Sequence, residues 1–194
     1  MTEEQFQEQF KAYLGLIAQL LTCSSGEEQA ILHANSQLLD AAFVKTMELV
    51  AAEMAEDGED NAEWLQGLAN ELAEMMEATK KLNDQVMELY NAGKYDEAIP
   101  IAEKGVTLAR QLWGESDAKV ATNLNNLASL YESQGRYSEA EPLFKQAIEI
   151  DNIALPANHP SLASNLNNLA ELYRAQGRYS EAEPLYKQAI EIDN

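Results

Sequence analysis

The residues best equipped for chemistry are few in this chain. Two histidines, His33 and His159, stand far apart, and Cys23 is the only cysteine, so a structural zinc site has no set of ligands to draw on. The acidic run Glu53, Glu56, Asp57, Glu59 and Asp60 lacks the alternating oxygen ligands and distal glutamate of a calcium loop, and reads as a solvated helix junction. No glycine-rich phosphate cradle is present, and no Ser, Thr or Cys nucleophile lies in a recognisable motif with a histidine base. His159 precedes Pro160 at a helix start, a structural position. Carboxylate pairs are too common in so acidic a chain to single out an acid–base couple. These residues point to no enzyme, no metal and no cofactor.

The polar groups that do recur are amides: Asn125-Asn126 and, again, Asn167-Asn168. Asparagine inside a helix costs roughly half a kcal/mol or more against alanine, so a pair that appears twice asks for an offsetting contact. Each amide offers both a donor and an acceptor, which suits it to holding the backbone of an extended peptide. It suits it equally to bonding between neighbouring helices, and a duplication could also have copied an accidental pair.

The elements that must carry these amides follow from a repeat. Asn123-Leu-Asn-Asn-Leu-Ala128 returns as Asn165-Leu-Asn-Asn-Leu-Ala170, a spacing of 42 residues. Gly93-Lys94-Tyr95, Gly135-Arg136-Tyr137 and Gly177-Arg178-Tyr179 keep the same beat, each glycine placed to end one helix and turn the chain. Leu124, Leu127, Ala128 and Tyr131 before the glycine, then Ala140, Leu143, Phe144 and Ala147 after it, fall at helical spacing, so each repeat predicts two amphipathic helices. The small Ala128 and Ala140 would let the paired helices approach. Ser138 with Glu141 and Ser180 with Glu183 match the reciprocal capping pattern of a helix start.

These residues resemble the tetratricopeptide repeats, in the 42-residue variety of the kinesin light chain, through Leu124-Asn-Asn-Leu-Ala128 and Gly135-Arg-Tyr-Ser-Glu-Ala140 and their second copies. The resemblance covers about 60% of the chain. It is looser in the first repeat, where Gln85, Ala102 and Gly105 replace Leu127, Phe144 and Ala147, as a terminal repeat facing a different neighbour would tolerate. It implies an all-α fold, a right-handed superhelix of antiparallel helix hairpins, with repeats at about 77–118, 119–160 and 161–194 behind an N-terminal helical region of residues 1–76. It also implies that the first helix of each repeat lines a concave face that binds a peptide or helix of another protein.

Helical geometry, at 100° per residue, names the residues of that face. In the second repeat they are Thr122, Asn125, Ser129 and Glu132, with Asn126 and Ser133 beside them; in the third, Ser164, Asn167, Glu171 and Arg174, with Asn168 and Ala175. In the first they are Lys80, Asn83, Met87 and Tyr90, with Asp84 and Asn91. The stretches Asn123–Asn152 and Asn165–Asn194 differ at four positions only: Ser129/Glu171, Glu132/Arg174 and Ser133/Ala175 on this face, and Phe144/Tyr186, a conservative change in the core. Duplication that kept the scaffold and varied the contact surface explains this pattern, as does drift at exposed positions. Glu171, Arg174 and Tyr90 would then tune selectivity. Lys80 and Arg174 are the only basic groups on the arc, too few to clamp a carboxylate tail.

Acids outnumber bases 33 to 13, for a formal charge of -20, which disfavours nucleic acid as a partner and would speed encounters with a basic protein. The acidic N-terminus is unlike a secretory signal, and the apolar run Tyr13 to Cys23 is too short and polar to span a bilayer, so the cytoplasm is the default location. Ahead of the repeats the sequence predicts helices at Glu3 to Leu21, Glu27 to Ala34, Ala41 to Ala55 and from near Asn61. These form either a cap on the first repeat or a bundle with its own partner; Trp64, Leu65, Leu68 and Leu72 run as a stripe toward Met75 and Met76 without a linker. The last repeat carries no polar capping helix, which leaves two alternatives to a binding module: a self-assembling element that forms homo-oligomers through that end, or a sensor or scaffold piece of a larger multidomain effector.

Overall fold

Turn chemistry divides the chain into helices at the places where glycine or a short polar side chain can satisfy the orphan groups at a helix end. The computed structural model describes residues 2–193. Among them are nine α-helices, one 3-10 turn and no strand. The first three helices are α1 (Glu3–Thr22), α2 (Glu28–Ala34) and α3 (Ala41–Glu56), with the 3-10 turn at Ser36–Leu38 between the last two. Then come α4 (Ala62–Asn91), α5 (Tyr95–Trp113), α6 (Ala118–Ser133), α7 (Tyr137–Ala154), α8 (Pro160–Ala175) and α9 (Tyr179–Asp193). The chain groups into two compact units, residues 1–78 and 79–194, and α4 carries residues of both.

In the first unit α1 opens with a reciprocal cap, Thr2 bonding the Gln5 amide while the Gln5 side chain bonds back to the Thr2 amide. Asp40 starts α3 by accepting from the Phe43 N–H at 2.8 Å, and its other oxygen accepts from the Tyr13 hydroxyl of α1 at 2.7 Å. Burial and that carboxylate push the Tyr13 phenol up to about 12. Tyr13, Leu16, Ile17 and Leu20 of α1 are buried, as are Phe43, Val44 and Met47 of α3.

The second unit is built from helical hairpins. Gly93, Gly135 and Gly177 all take positive φ, near 70°, where a side chain would be strained. The residue after each glycine closes the turn: the Lys94, Arg136 and Arg178 N–H groups donate to the Leu89, Tyr131 and Tyr173 carbonyls at 2.9, 2.8 and 2.8 Å. Ala128 and Ala140 are fully buried, consistent with close approach of α6 and α7, and Ala170 and Ala182 repeat the arrangement in α8 and α9.

The capping boxes expected at Ser138 with Glu141 and at Ser180 with Glu183 do not form. Both helices begin two residues earlier than such a cap requires, at Tyr137 and Tyr179, which places each serine inside the first turn. The Ser138 hydroxyl donates to Glu139 at 2.6 Å, Glu183 pairs with Lys187, and Glu141 serves a different purpose. It accepts from Lys145 on its own helix, from the Tyr173 hydroxyl of α8 at 3.0 Å and from the Arg178 guanidinium at 2.7 Å, joining α7 to the turn between α8 and α9. The Arg178 hydrogen bond is the main reason its carboxyl falls to about 2. The first repeat has Ile99 at the matching position, and Tyr131 instead donates to Glu103, one turn along α5, at 3.0 Å.

The helix starts that are capped by side chains use different residues at matching positions. Asp117 accepts from the Lys119 N–H at 2.8 Å at the start of α6, and His159 accepts through Nδ1 from the Ser161 N–H at 3.2 Å at the start of α8. His159 is therefore an acceptor at Nδ1, with Pro160 at the first helical position where no N–H is needed.

Candidate functional site

The exposed side of α4, α6 and α8 holds the residues that helical geometry assigned to a binding face. Those of α4 and α6 meet: Val86, Met87 and Tyr90 enclose, with Asn126 and Ser129, a cavity of about 160 Å³. Val86 is buried beneath it and Met87 is 48% exposed at its rim. Val86 was not among the expected face residues, since its apolar side chain belongs to the core stripe, yet it supplies the floor. The Ser133 hydroxyl stands 3.5 Å from the Tyr90 hydroxyl, the outer limit of a hydrogen bond.

Those of α6 and α8 meet through an amide. Asn168 Nδ2 donates to Asn125 Oδ1 at 2.9 Å, so this pair bonds between neighbouring helices. The bond uses the Asn125 carbonyl and one N–H of Asn168; the Asn125 NH2 and the Asn168 carbonyl make no side-chain hydrogen bond among the described residues. Asn126 and Asn167, both half-buried, make no side-chain hydrogen bond among the described residues. The Ser129 hydroxyl turns back onto the Asn125 carbonyl of its own helix. Asp84 is exposed, and Asn83 points toward α5, its Oδ1 lying 3.7 Å from where a Cβ on Gly105 would be.

That same glycine has a local reason to be small. A Cβ on Gly105 would come within 2.9 Å of Asn123 Oδ1, so the buried amide of Asn123 occupies the space that an alanine methyl would need. Asn123 donates to the Lys119 carbonyl at 2.8 Å. Its counterpart Asn165, in a repeat that has Ala147 at the position of Gly105, donates instead to Asp151 Oδ2 of α7 at 2.7 Å. Asp151 is 1% exposed, its second oxygen has no hydrogen-bond partner, and burial raises its carboxyl to about 6 against the pull of His159 and Asn165. At the matching place in α5 stands Ala109.

The differences between the two near-identical repeats are also coupled. The Phe144/Tyr186 change is not a conservative core swap: Phe144 is fully buried, whereas the half-buried Tyr186 donates its hydroxyl to Glu171. Arg174 donates to the same carboxylate, at 2.8 Å from Nε. Glu171, Arg174 and Tyr186 thus form one cluster, and the Tyr186 hydrogen bond leads in holding the Glu171 carboxyl below its usual range. In the second repeat Ser129 and Phe144 take the places of Glu171 and Tyr186, and Glu132 takes that of Arg174. The Glu132 carboxylate is half-buried and accepts no hydrogen bond among the described residues. Burial, then repulsion from Glu171, raises its pKa, with Arg174 opposing.

Comparisons with known proteins place this architecture. No curated protein matches the chain. Among solved structures it is similar to BtubC (BKLC) from P. vanneervenii, at 22% identity and a TM-score of 0.55 over 97% of this chain and 75% of that one. It is also similar to a protein of nearly identical TPR-like repeats from Podosopora anserina, described as a kinesin light chain, at 20% identity and a TM-score of 0.52 over 98% of this chain and 88% of that one. At this identity the likeness establishes the fold, an all-α solenoid of tandem hairpins. No helix among the described residues is long and apolar enough to cross a membrane. Repeats of this kind generally mediate contacts between proteins and are typically non-catalytic. The family model described as Tetratricopeptide repeat matches residues 86–153 and 154–194, more than half of the sequence, and the chain belongs to that family, with kinesin-light-chain-like repeats.

Proposed function

We propose that the outward side of α4, α6 and α8 binds a segment of a partner protein. The observation that carries this reading is the unspent hydrogen-bonding capacity of four half-buried amides on one surface: Asn125, Asn126, Asn167 and Asn168 share a single hydrogen bond. Half-burial of an amide is costly unless its donor and acceptor find partners, and an extended backbone supplies both at regular intervals. The apolar cavity between α4 and α6 adjoins these amides and gives a bound segment a place for one side chain. Asn83, Asp84, Met87, Tyr90, Ser129, Glu132, Glu171 and Arg174 complete the proposed face, with Asn83 and Glu171 contributing from its edges because each is turned toward the second helix of its hairpin.

The test uses the two amides that hold no internal bond. An Asn126→Ala, Asn167→Ala variant keeps the α6–α8 amide pair and gains helix propensity, so its circular dichroism should match the parent. Affinity capture from host lysate, read by mass spectrometry, should then lose a specific protein with the variant. A captured set that is identical for parent and variant refutes the reading.

A further inference from the structure

The Glu132 carboxylate is the one group on this face whose surroundings ask for a partner of definite charge. Glu171 is served by Arg174 and Tyr186, and Glu141 by three donors, whereas Glu132 is half-buried with no hydrogen bond among the described residues. A half-buried, unpaired carboxylate is costly, and a cation brought against it relieves that cost. Among the described residues the cation that acts on it, Arg174, is already committed to Glu171. The fold does not require an acid at this place, because the same position in the third repeat is Arg174.

One turn back along α6, Ser129 lines the cavity shared with Val86, Met87 and Tyr90. At about 160 Å³ that cavity is smaller than the roughly 300–1,000 Å³ of small-molecule sites, and it has room for one apolar side chain. Ser129 and Glu132 lie three steps apart along the helix, a rise of about 4.5 Å, which an extended chain covers in one to two residues at about 3.3 Å each. A formal charge of -20 favours approach of a basic segment over an acidic one.

We infer that the bound segment carries an apolar side chain and, one or two residues from it, a lysine or arginine: the apolar group enters the Val86–Met87–Tyr90 cavity and the cation pairs with Glu132. This rests on the binding face proposed above and specifies its partner as a basic–apolar protein segment.

Selection of a random heptapeptide display library against the full chain tests it, with Glu132→Gln, Glu132→Arg and Met87→Ala, Asn126→Ala variants selected in parallel. The parent should enrich sequences with Leu, Ile, Met or Phe one or two residues from Lys or Arg. Synthetic versions of those peptides should bind Glu132→Gln roughly tenfold more weakly by fluorescence polarisation. The Glu132→Arg variant, which copies the residue of the next repeat, should enrich acidic residues in place of basic ones. Peptides that depend on Met87 and Asn126 but carry no basic residue, or bind Glu132→Gln equally well, overturn this inference and leave the binding face standing. Enrichment indifferent to Met87 and Asn126, or none at all, overturns both.

Discussion

Replacing Asp151 by asparagine should convert a pH-dependent junction between α7 and α8 into a pH-independent one. Asp151 is 1% exposed, receives one hydrogen bond from Asn165, and holds its proton up to about pH 6 in the folded chain against an ordinary value of 3.8. The folded state therefore binds the proton more tightly than the open state. Stability from this group is present below the ordinary value and is lost as pH rises toward and through about 6. A shift of about two units corresponds to a factor of up to roughly a hundred in the opening equilibrium, or about 3 kcal/mol as an upper bound. The asparagine variant keeps an oxygen for Asn165 and carries no charge. Its amide nitrogen takes the place of the unbonded oxygen, a cost that does not change with pH. Hydrogen exchange of α8 peptides, measured on parent and variant side by side, removes both intrinsic exchange rates and the general effect of acid on so acidic a chain. The ratio of parent to variant opening should climb between about pH 4 and pH 7.5, by up to roughly a hundredfold. A ratio constant across that range refutes the assignment of a buried, strained ionisation at Asp151.

Glu141 should behave with the opposite sign. Its carboxyl is held at about 2 by Arg178, Lys145 and Tyr173, so its contribution is present above the ordinary glutamate value and is lost as pH falls from about 4.5 toward 2. Glu141→Ala should lower the urea midpoint at neutral pH by the equivalent of about 2 kcal/mol and make little difference near pH 2. Tyr186→Phe should cost about 1 kcal/mol in the parent and close to nothing in a Glu171→Ser background, a coupling that a double-mutant cycle in urea measures directly. His159→Ala should cost about 1 kcal/mol through loss of the α8 cap, while His159→Asp, which copies Asp117 of the preceding repeat, should restore it; thermal melts separate the two.

Backbone punctuation was readable from sequence because each signal is local. Gly93, Gly135 and Gly177 end helices wherever they stand, and Leu124, Leu127 and Tyr131 show their shared face by spacing alone. The helices ahead of the repeats likewise fall within a residue or so of expectation, with α4 running on to Asn91 because no proline lies between Trp64 and Tyr90 and the one glycine there, Gly67, is tolerated inside a helix. Side-chain partners were a different matter. Ser138 and Glu141 have the spacing of a capping box, but a start two residues earlier removes the serine from the cap and frees the glutamate for Arg178 of the next hairpin. Gly105 looked like the laxity of a first repeat, yet its cause is Asn123, eighteen positions on and in another helix. Which of two bonds an asparagine takes depends on whether its neighbour is Asp151 or Ala109, and such choices are set across helices.

The Glu171, Arg174 and Tyr186 cluster lies wholly within the α8–α9 hairpin, whereas the Asp151–Asn165 and Glu141–Arg178 bonds pass from one hairpin to the next. These two kinds of bond set different rules for inheritance. A polar set contained in one hairpin travels intact when its gene segment is duplicated or transplanted, so residues 171, 174 and 186 are exchanged together or not at all. A bond that crosses between hairpins must be remade by whatever unit arrives next door. A neighbour built like the first repeat, with Ile99 and Ala109 in place of Glu141 and Asp151, cannot remake either one. Shuffling these repeats therefore has a grammar, and the hairpin, not the single residue, is its word.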